Sequence, residues 1–206
     1  MTKIKNFRIT LRPREIARWI KTQKQIPTTP NLESAVQQAI DAVKGRIKPA
    51  AIYTTLTRAT ADKTTSLPLP AEAVAVSIIA VTLSDGLSRA QGIDGLGVDG
   101  LDAAAWLEAI EQEALQQSVQ FAMRLLQEQA KDESCQLSAP LPAPDAEHVP
   151  SLAALLGVHR IGIVVESADA LWPTHARLVW SFWTPAGKST GERRETPVRS
   201  PEKAAV

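Results

Sequence analysis

The sequence predicts an α+β domain in which a mixed, mostly antiparallel sheet packs against helices, and three features carry that prediction. Residues 73–83 (AVAVSIIAVTL) are apolar almost throughout and rich in β-branched side chains, as expected of a strand covered on both faces and placed at the centre of a sheet. Residues 101–130 repeat apolar side chains at helical spacing in two adjacent stripes, which calls for packing on more than one neighbour. Residues 175–184 alternate Ala176, Leu178, Trp180 and Phe182 on one face, the period of a strand with one buried side.

The remaining elements follow in chain order. Phe7, Ile9 and Leu11 alternate with Arg8, Thr10 and Arg12, which predicts a half-buried strand over residues 7–12. Pro13 suits the first position of a helix, where an amide hydrogen is not needed, and Ile16, Trp19 and Ile20 form its apolar face. A loop over residues 24–31 leads to a second helix starting near Thr29-Pro30, with Val36, Ile40, Val43 and Ile47 on its stripe and Lys48-Pro49 as its stop. Residues 50–58 (AAIYTTLTR) read as a strand, and ADKTTSLPLP after them as a turn-rich connection. In the long helix, Leu107, Ile110, Ala114, Phe121 and Leu125 form one stripe, with Leu115, Val119, Ala122 and Leu126 beside it. The proline-dense residues 138–150 predict an extended loop, residues 151–156 a short helix, and RIGIVVES (160–167) a strand. One domain over residues 1–184 and a flexible polar tail over 185–206 complete the reading.

Composition excludes several classes. With 206 residues, 44% hydrophobic and 22% charged, the chain can bury a core and is neither a fibre nor a disordered polymer. The single thiol, Cys135, cannot form an internal disulfide framework or a cysteine-rich metal centre, so a reducing cytoplasm is the expected setting. The first ten residues lack the apolar core of a signal peptide and no apolar run is long enough to span a bilayer, so no membrane association is expected. The net charge of +1 conceals an asymmetry: residues 1–60 carry +9, residues 61–149 carry −10 and residues 150–206 carry +2. The asymmetry reads first as two complementary faces of a single fold; the alternative is that the basic N-terminal face is a docking surface for an acidic protein partner. Nucleic acid is not expected, because these basic residues are not interleaved with stacking aromatics.

Motifs of chemistry are sparse. Gly95 to Gly100 spells G-x-G-x-x-G, but about a dozen residues separate it from the preceding strand, whereas a phosphate-cradling turn follows its strand directly. Asp94, Asp99 and Asp102 do not match the alternate spacing of a calcium loop, and His148, His159 and His175 show no zinc-ligand pairing, so no metal is assigned. No G-x-S-x-G elbow occurs and no catalytic residue is assigned. Trp172, Trp180 and Trp183 fall within twelve residues, in keeping with a packed sheet edge or a flat hydrophobic binding face.

One stretch carries a resemblance. Arg160-Ile161-Gly162-Ile163-Val164-Val165-Glu166-Ser167, then Ala170-Leu171-Trp172-Pro173 and Val179-Trp180-Ser181-Phe182-Trp183, resembles the C-terminal part of the activation (reactivation) domain of cobalamin-dependent methionine synthase, with its G-x-x-L-T-E-S strand, Met-Trp-Pro turn and aromatic strand. Arg14-Glu15-Ile16, Ile47-Lys48-Pro49 and the strand ending Ala80-Val81-Thr82-Leu83 echo the stand-alone homologues, so the likeness covers most of residues 5–184. The resemblance implies a mixed α+β fold that binds S-adenosylmethionine and presents its methyl group to cobalamin held by a corrinoid protein or methyltransferase partner. By position it marks Gln136, Ser138, Pro140, Leu141, Glu166, Ser167 and Trp172 as ligand-binding candidates. Gln136 stands where the family has arginine, Pro140 where it has glycine and Leu141 where it has tyrosine. Gln cannot supply a charged fork, a change worth about 1.5–3 kcal/mol of ligand affinity. The alternative is therefore a non-catalytic interaction module that keeps the fold and has lost the ligand.

Overall fold

The computed structural model describes residues 1–24, 31–83, 103–167 and 171–187. Its elements in chain order are β1 (Thr2–Lys5), α1 (Pro13–Lys24), α2 (Leu32–Val43), β2 (Ala50–Thr57), α3 (Arg58–Thr64), β3 (Ala75–Thr82), α4 (Ala103–Asp132), β4 (Cys135–Leu137), β5 (Leu141–Pro142), α5 (His148–Leu156), a 3-10 turn (Val158–Ile161), β6 (Val164–Val165), β7 (Leu171–Trp172) and β8 (Ala176–Pro185). The architecture is α+β, and each strand pairing among the described residues is antiparallel.

β3 is the middle of the sheet, which runs β1-β2-β3-β8-β4, with β5 also on β8. All eight of its residues are buried, and Ser77 and Thr82 are its only polar side chains. Such a segment is stable only when both faces are covered. Its odd-numbered side chains join those of β2 and β8 under α1, α2 and α4, in a core that includes Ile79, Trp106, Ile110, Val119 and Trp183. The even-numbered ones face α3, α5 and the 3-10 turn, in a second core built around Ile52, Ile78, Leu156, Leu178 and Trp180. The sheet is thus the middle layer of three. α4, about 45 Å long at ordinary helical rise, lies over its centre and buries the predicted Leu115, Val119, Ala122 and Leu126 stripe; of the other stripe Ile110 and Ala114 are buried, and Leu107, Phe121 and Leu125 partly so.

α1 starts at Pro13 with Ile16 and Ile20 buried, and α2 buries Val36, Ile40 and Val43, as the spacing predicts. Three local expectations are corrected. The strand expected over residues 7–12 forms earlier, at Thr2–Lys5, because β1 pairs with the start of β2 while Asn6, at φ 55°, turns the chain out of the ladder. Residues 7–11 keep their alternation of half-buried and exposed side chains without a strand partner. The turn-rich connection contains α3, which reaches Thr64. RIGIVVES is not one strand: Val158–Ile161 coil into a 3-10 turn, Gly162 takes φ 83°, and only Val164–Val165 pair, with β7. Glycine is the residue that adopts such a φ at little cost. The G-x-G-x-x-G run of Gly95 to Gly100 and the tail beyond Gly187 lie outside the described residues. Among the described residues no helix is long and apolar enough to cross a membrane.

Candidate functional site

The seven positions marked by the resemblance divide into two groups along β8. Gln136 is exposed on β4 opposite Thr184, near the C-terminal end of β8. Glu166, Ser167 and Trp172 belong to the β6–β7 ribbon and its turn, just before β8 begins at Ala176. Thr184 and Ala176 are about 27 Å apart along an extended strand, so one small molecule does not touch both ends. Ser138 is engaged in structure: its N donates to Phe182 O at 2.9 Å, its Oγ accepts from Phe182 N at 3.1 Å, and its carbonyl accepts from Ser181 Oγ at 2.9 Å. Leu141 pairs opposite Trp180 and packs into the α5-side core together with Val165 and Leu171. Glu166 and Ser167 are exposed. Trp172, 44% exposed, stands across the ribbon from Val164, 52% exposed, and its bond to Pro173 is cis. Pro140 lines a cavity of about 280 Å³ with Gln116, Val119, Pro142, Arg177 and Val179.

Arg177 is the link to a larger space. It also lines a cleft of about 460 Å³ between α1 and α4, whose walls include Arg12, Ile16 and Trp19 from the first segment and Gln112 and Glu113 from α4. The larger volume lies within the range that small-molecule sites occupy, about 300–1,000 Å³, and the smaller just below it. β8 presents Arg177 here because alternation puts it, with Val179, Ser181 and Trp183, on the α4 side. The guanidinium is half-buried, and burial lowers its pKa from the ordinary arginine value. Nη2 donates to Gln112 Oε1 at 2.6 Å and Nη1 to Gln116 Oε1 at 3.4 Å. Among the described residues no carboxylate lies within 4 Å of it. Amide oxygens orient the cation without neutralising it, and an anion in the cleft would.

The opposite wall is already neutralised. Arg12 Nε donates to Glu113 Oε1 at 2.8 Å and Nη2 to Oε2 at 3.2 Å, a bidentate pair with the carboxylate side chain buried and the guanidinium half-exposed. Hydrogen bonding to Glu113 raises the Arg12 pKa above its ordinary value, against the opposing effect of burial. Gln117 Nε2 donates to the same Glu113 Oε1 at 2.9 Å. One turn toward the start of β8, buried His175 places Nδ1 3.3 Å from Glu111 Oε1. Burial raises the Glu111 pKa above the usual carboxylate range, and His175 offsets part of that rise.

On the α4 side, His175 just before β8 and Arg177, Ser181 and the Trp183 indole on it therefore form a polar row, and the Trp183 Nε1 donates to Ser77 Oγ at 2.8 Å. Sequence reasoning passed over Arg177, Gln112 and Glu113. The one available signal was a lone charge inside an otherwise apolar alternating strand, between Ala176 and Leu178. Among the described residues no group of three or more His, Cys, Asp or Glu side chains is placed to hold a metal ion. What this arrangement offers an anionic ligand is one cation without a carboxylate partner among the described residues, Arg177, in a mostly polar cleft whose apolar lining is Ile16, Trp19 and Ala109. No protein-family model matches the sequence, and no curated protein matches it significantly.

Proposed function

We propose that this protein is a stand-alone counterpart of the methionine synthase activation domain, binding S-adenosylmethionine or a related carboxylate-bearing ligand and acting in cobalamin-dependent methyl transfer through a corrinoid protein partner. The observation that carries the reading is Arg177: a half-buried guanidinium without a carboxylate partner among the described residues, at the junction of the α1–α4 cleft and the Pro140 cavity. The loop that the resemblance marks has glutamine at position 136, opposite Thr184; the charged fork in this reading is Arg177, beside the Pro140 and Pro142 end of that loop. In this reading the ligand carboxylate sits on Arg177, with Gln112 and Gln116 holding the guanidinium plane, and the apolar body of the ligand lies toward Ile16 and Trp19. The ligand supplies an electrophilic methyl group; the protein's part is recognition and positioning. Cobalamin enters only with the partner.

Calorimetry with S-adenosylmethionine on the natural protein and on Arg177→Met tests this. Binding that the substitution weakens at least about tenfold is expected, as for loss of a charge-assisted bidentate contact. No binding, or equal binding by both proteins, overturns it.

One observation favours a second reading, a non-catalytic interaction module. Val164 and Trp172 form an exposed apolar cross-strand pair on the β6–β7 ribbon, a surface suited to a protein partner. The double variant Gln136→Arg with Pro140→Gly separates the two readings. Affinity for S-adenosylmethionine appearing only in that variant makes the natural protein the module.

A further inference from the structure

The ladder between β1 and β2 ends at the pair Lys5 and Ala50. Two neighbours stop it. Asn6 takes φ 55°, and opposite it Pro49 has no N–H to donate, so a single bond from Asn6 N to Pro49 O at 2.8 Å remains. Beyond it residues 7–11 diverge from residues 47–48, and together with the end of α2 they enclose a groove of about 700 Å³. Half-buried Phe7, Ile9, Leu11 and Ile47 give the groove apolar lining, while exposed Arg8 and Lys48 give it positive charge.

Residues 7–11 have the alternation of a strand and lack its pairing. Among the described residues, no hydrogen bond engages their main chain. Unpaired amide and carbonyl groups in a segment with strand alternation, along a groove with apolar lining, are a template for one more strand. The charge selects what that strand carries. Lys44 is occupied by Asp41 at 2.7 Å, but among the described residues no carboxylate lies within 4 Å of Arg8 or Lys48, and residues 1–60 as a whole carry +9. The one aromatic ring of the groove is not offered to a nucleobase, because Phe7 is stacked on Phe121 with ring centroids 4.1 Å apart.

We propose that this groove receives an extended acidic segment of a partner protein as an added β-strand. Its main chain pairs with residues 7–11, its alternate apolar side chains enter beside Ile9 and Ile47, and its carboxylates meet Arg8 and Lys48. The proposal stands apart from ligand binding at Arg177, since the two cavities share no lining residue.

The test uses the full chain and a fluorescein-labelled heptapeptide of alternating valine and glutamate, followed by anisotropy. A twin peptide N-methylated at alternate residues cannot donate along one edge. The unmodified peptide is expected to bind, to protect the amides of residues 7–11 from hydrogen exchange, and to bind more weakly as salt rises. The Arg8→Glu/Lys48→Glu double variant, whose two changes lie on exposed side chains, is expected to weaken binding by about tenfold or more. Arg177→Met should leave peptide binding unchanged. Absence of peptide binding, equal affinity for the N-methylated twin, or tighter binding to an oligothymidine or to vesicles of equal phosphatidylserine and phosphatidylcholine would overturn the proposal.

Discussion

The two faces of β8 serve different ends. Toward α5 it presents Ala176, Leu178, Trp180 and Phe182, a continuous apolar surface in which the Trp180 indole is satisfied by Pro142 O at 2.8 Å. Toward α4 it presents Arg177, Val179, Ser181 and Trp183, with His175 just before the strand, where polar groups interrupt the core and a cleft opens beside them. Truncating a residue on the first face leaves a hole in the core. A charge on the second face costs desolvation energy, which the amide oxygens of Gln112 and Gln116 offset in part. The contrast separates residues that fill the core from polar residues that border a cleft.

The largest expected effect tests the structural role of Trp183, which is buried to 1% exposure on the α4 face. Trp183→Ala should lower the unfolding free energy by about 3–5 kcal/mol, read by chemical denaturation. Loss below about 1 kcal/mol would mean that this face collapses more readily than its packing implies. Next comes the neutralised wall of the cleft. Arg12→Ala leaves the buried Glu113 carboxylate without its cation and should cost about 2 kcal/mol, less than a fully buried pair because Arg12 is half-exposed. Glu113→Gln should cost less than Arg12→Ala, since it leaves the remaining cation in contact with water.

Arg177→Met is the sharpest comparison with Arg12. Removing a half-buried charge that has no carboxylate partner among the described residues should change stability by no more than about 1 kcal/mol in either direction, while weakening the proposed ligand's affinity at least about tenfold. A large loss of stability would move Arg177 to the structural class. Within the loop that the resemblance marks, Ser138→Ala should cost about 1 kcal/mol for its hydrogen bonds to β8, whereas exposed Gln136→Ala should change stability by less than about 0.5 kcal/mol.

The smallest effect is a pH dependence on the α5 side. His148 Nδ1 meets Asp145 Oδ1 at 2.5 Å and its Nε2 lies 3.0 Å from Ser66 O, joining the proline loop to the segment after α3. The hydrogen bond to Asp145 raises the imidazole pKa above 6.5, so its stabilising contribution is fully present below pH 6.5 and is lost as pH rises through the raised folded value. The same contact lowers the Asp145 pKa, so that carboxylate's contribution is lost at the acid end, as pH falls through its folded value. His148→Gln should flatten the fall in stability above pH 6.5, measured by thermal melts across pH.

The legible elements are those whose partners are implied by their own pattern. Residues 73–83 have no polar face, so they had to lie between two layers, and β3 does. The two stripes on residues 101–130 required two neighbours, and α4 packs on both the sheet and α1. By contrast, RIGIVVES has the composition of a strand, yet the turn at Gly162 and pairing with β7 decide that only two of its residues act as one. The strand read at residues 7–12 fails for a similar reason: Pro49, distant in sequence, withholds the amide that would extend the ladder. The seven ligand candidates were legible as a local likeness, but their division between the two ends of β8 was not, because it depends on where β4 and the ribbon meet that strand.

By itself the sequence determined the layer structure, the central strand, the long helix and the basic N-terminal segment, since hydrophobic period and charge are written residue by residue. Only the tertiary structure decided which cations are neutralised. Arg12 finds Glu113 101 positions away, while Arg177 finds Gln112 and Gln116 and no carboxylate among the described residues. Whether a charge is paired depends on which side chains packing brings within hydrogen-bond reach, and no local period encodes that distance.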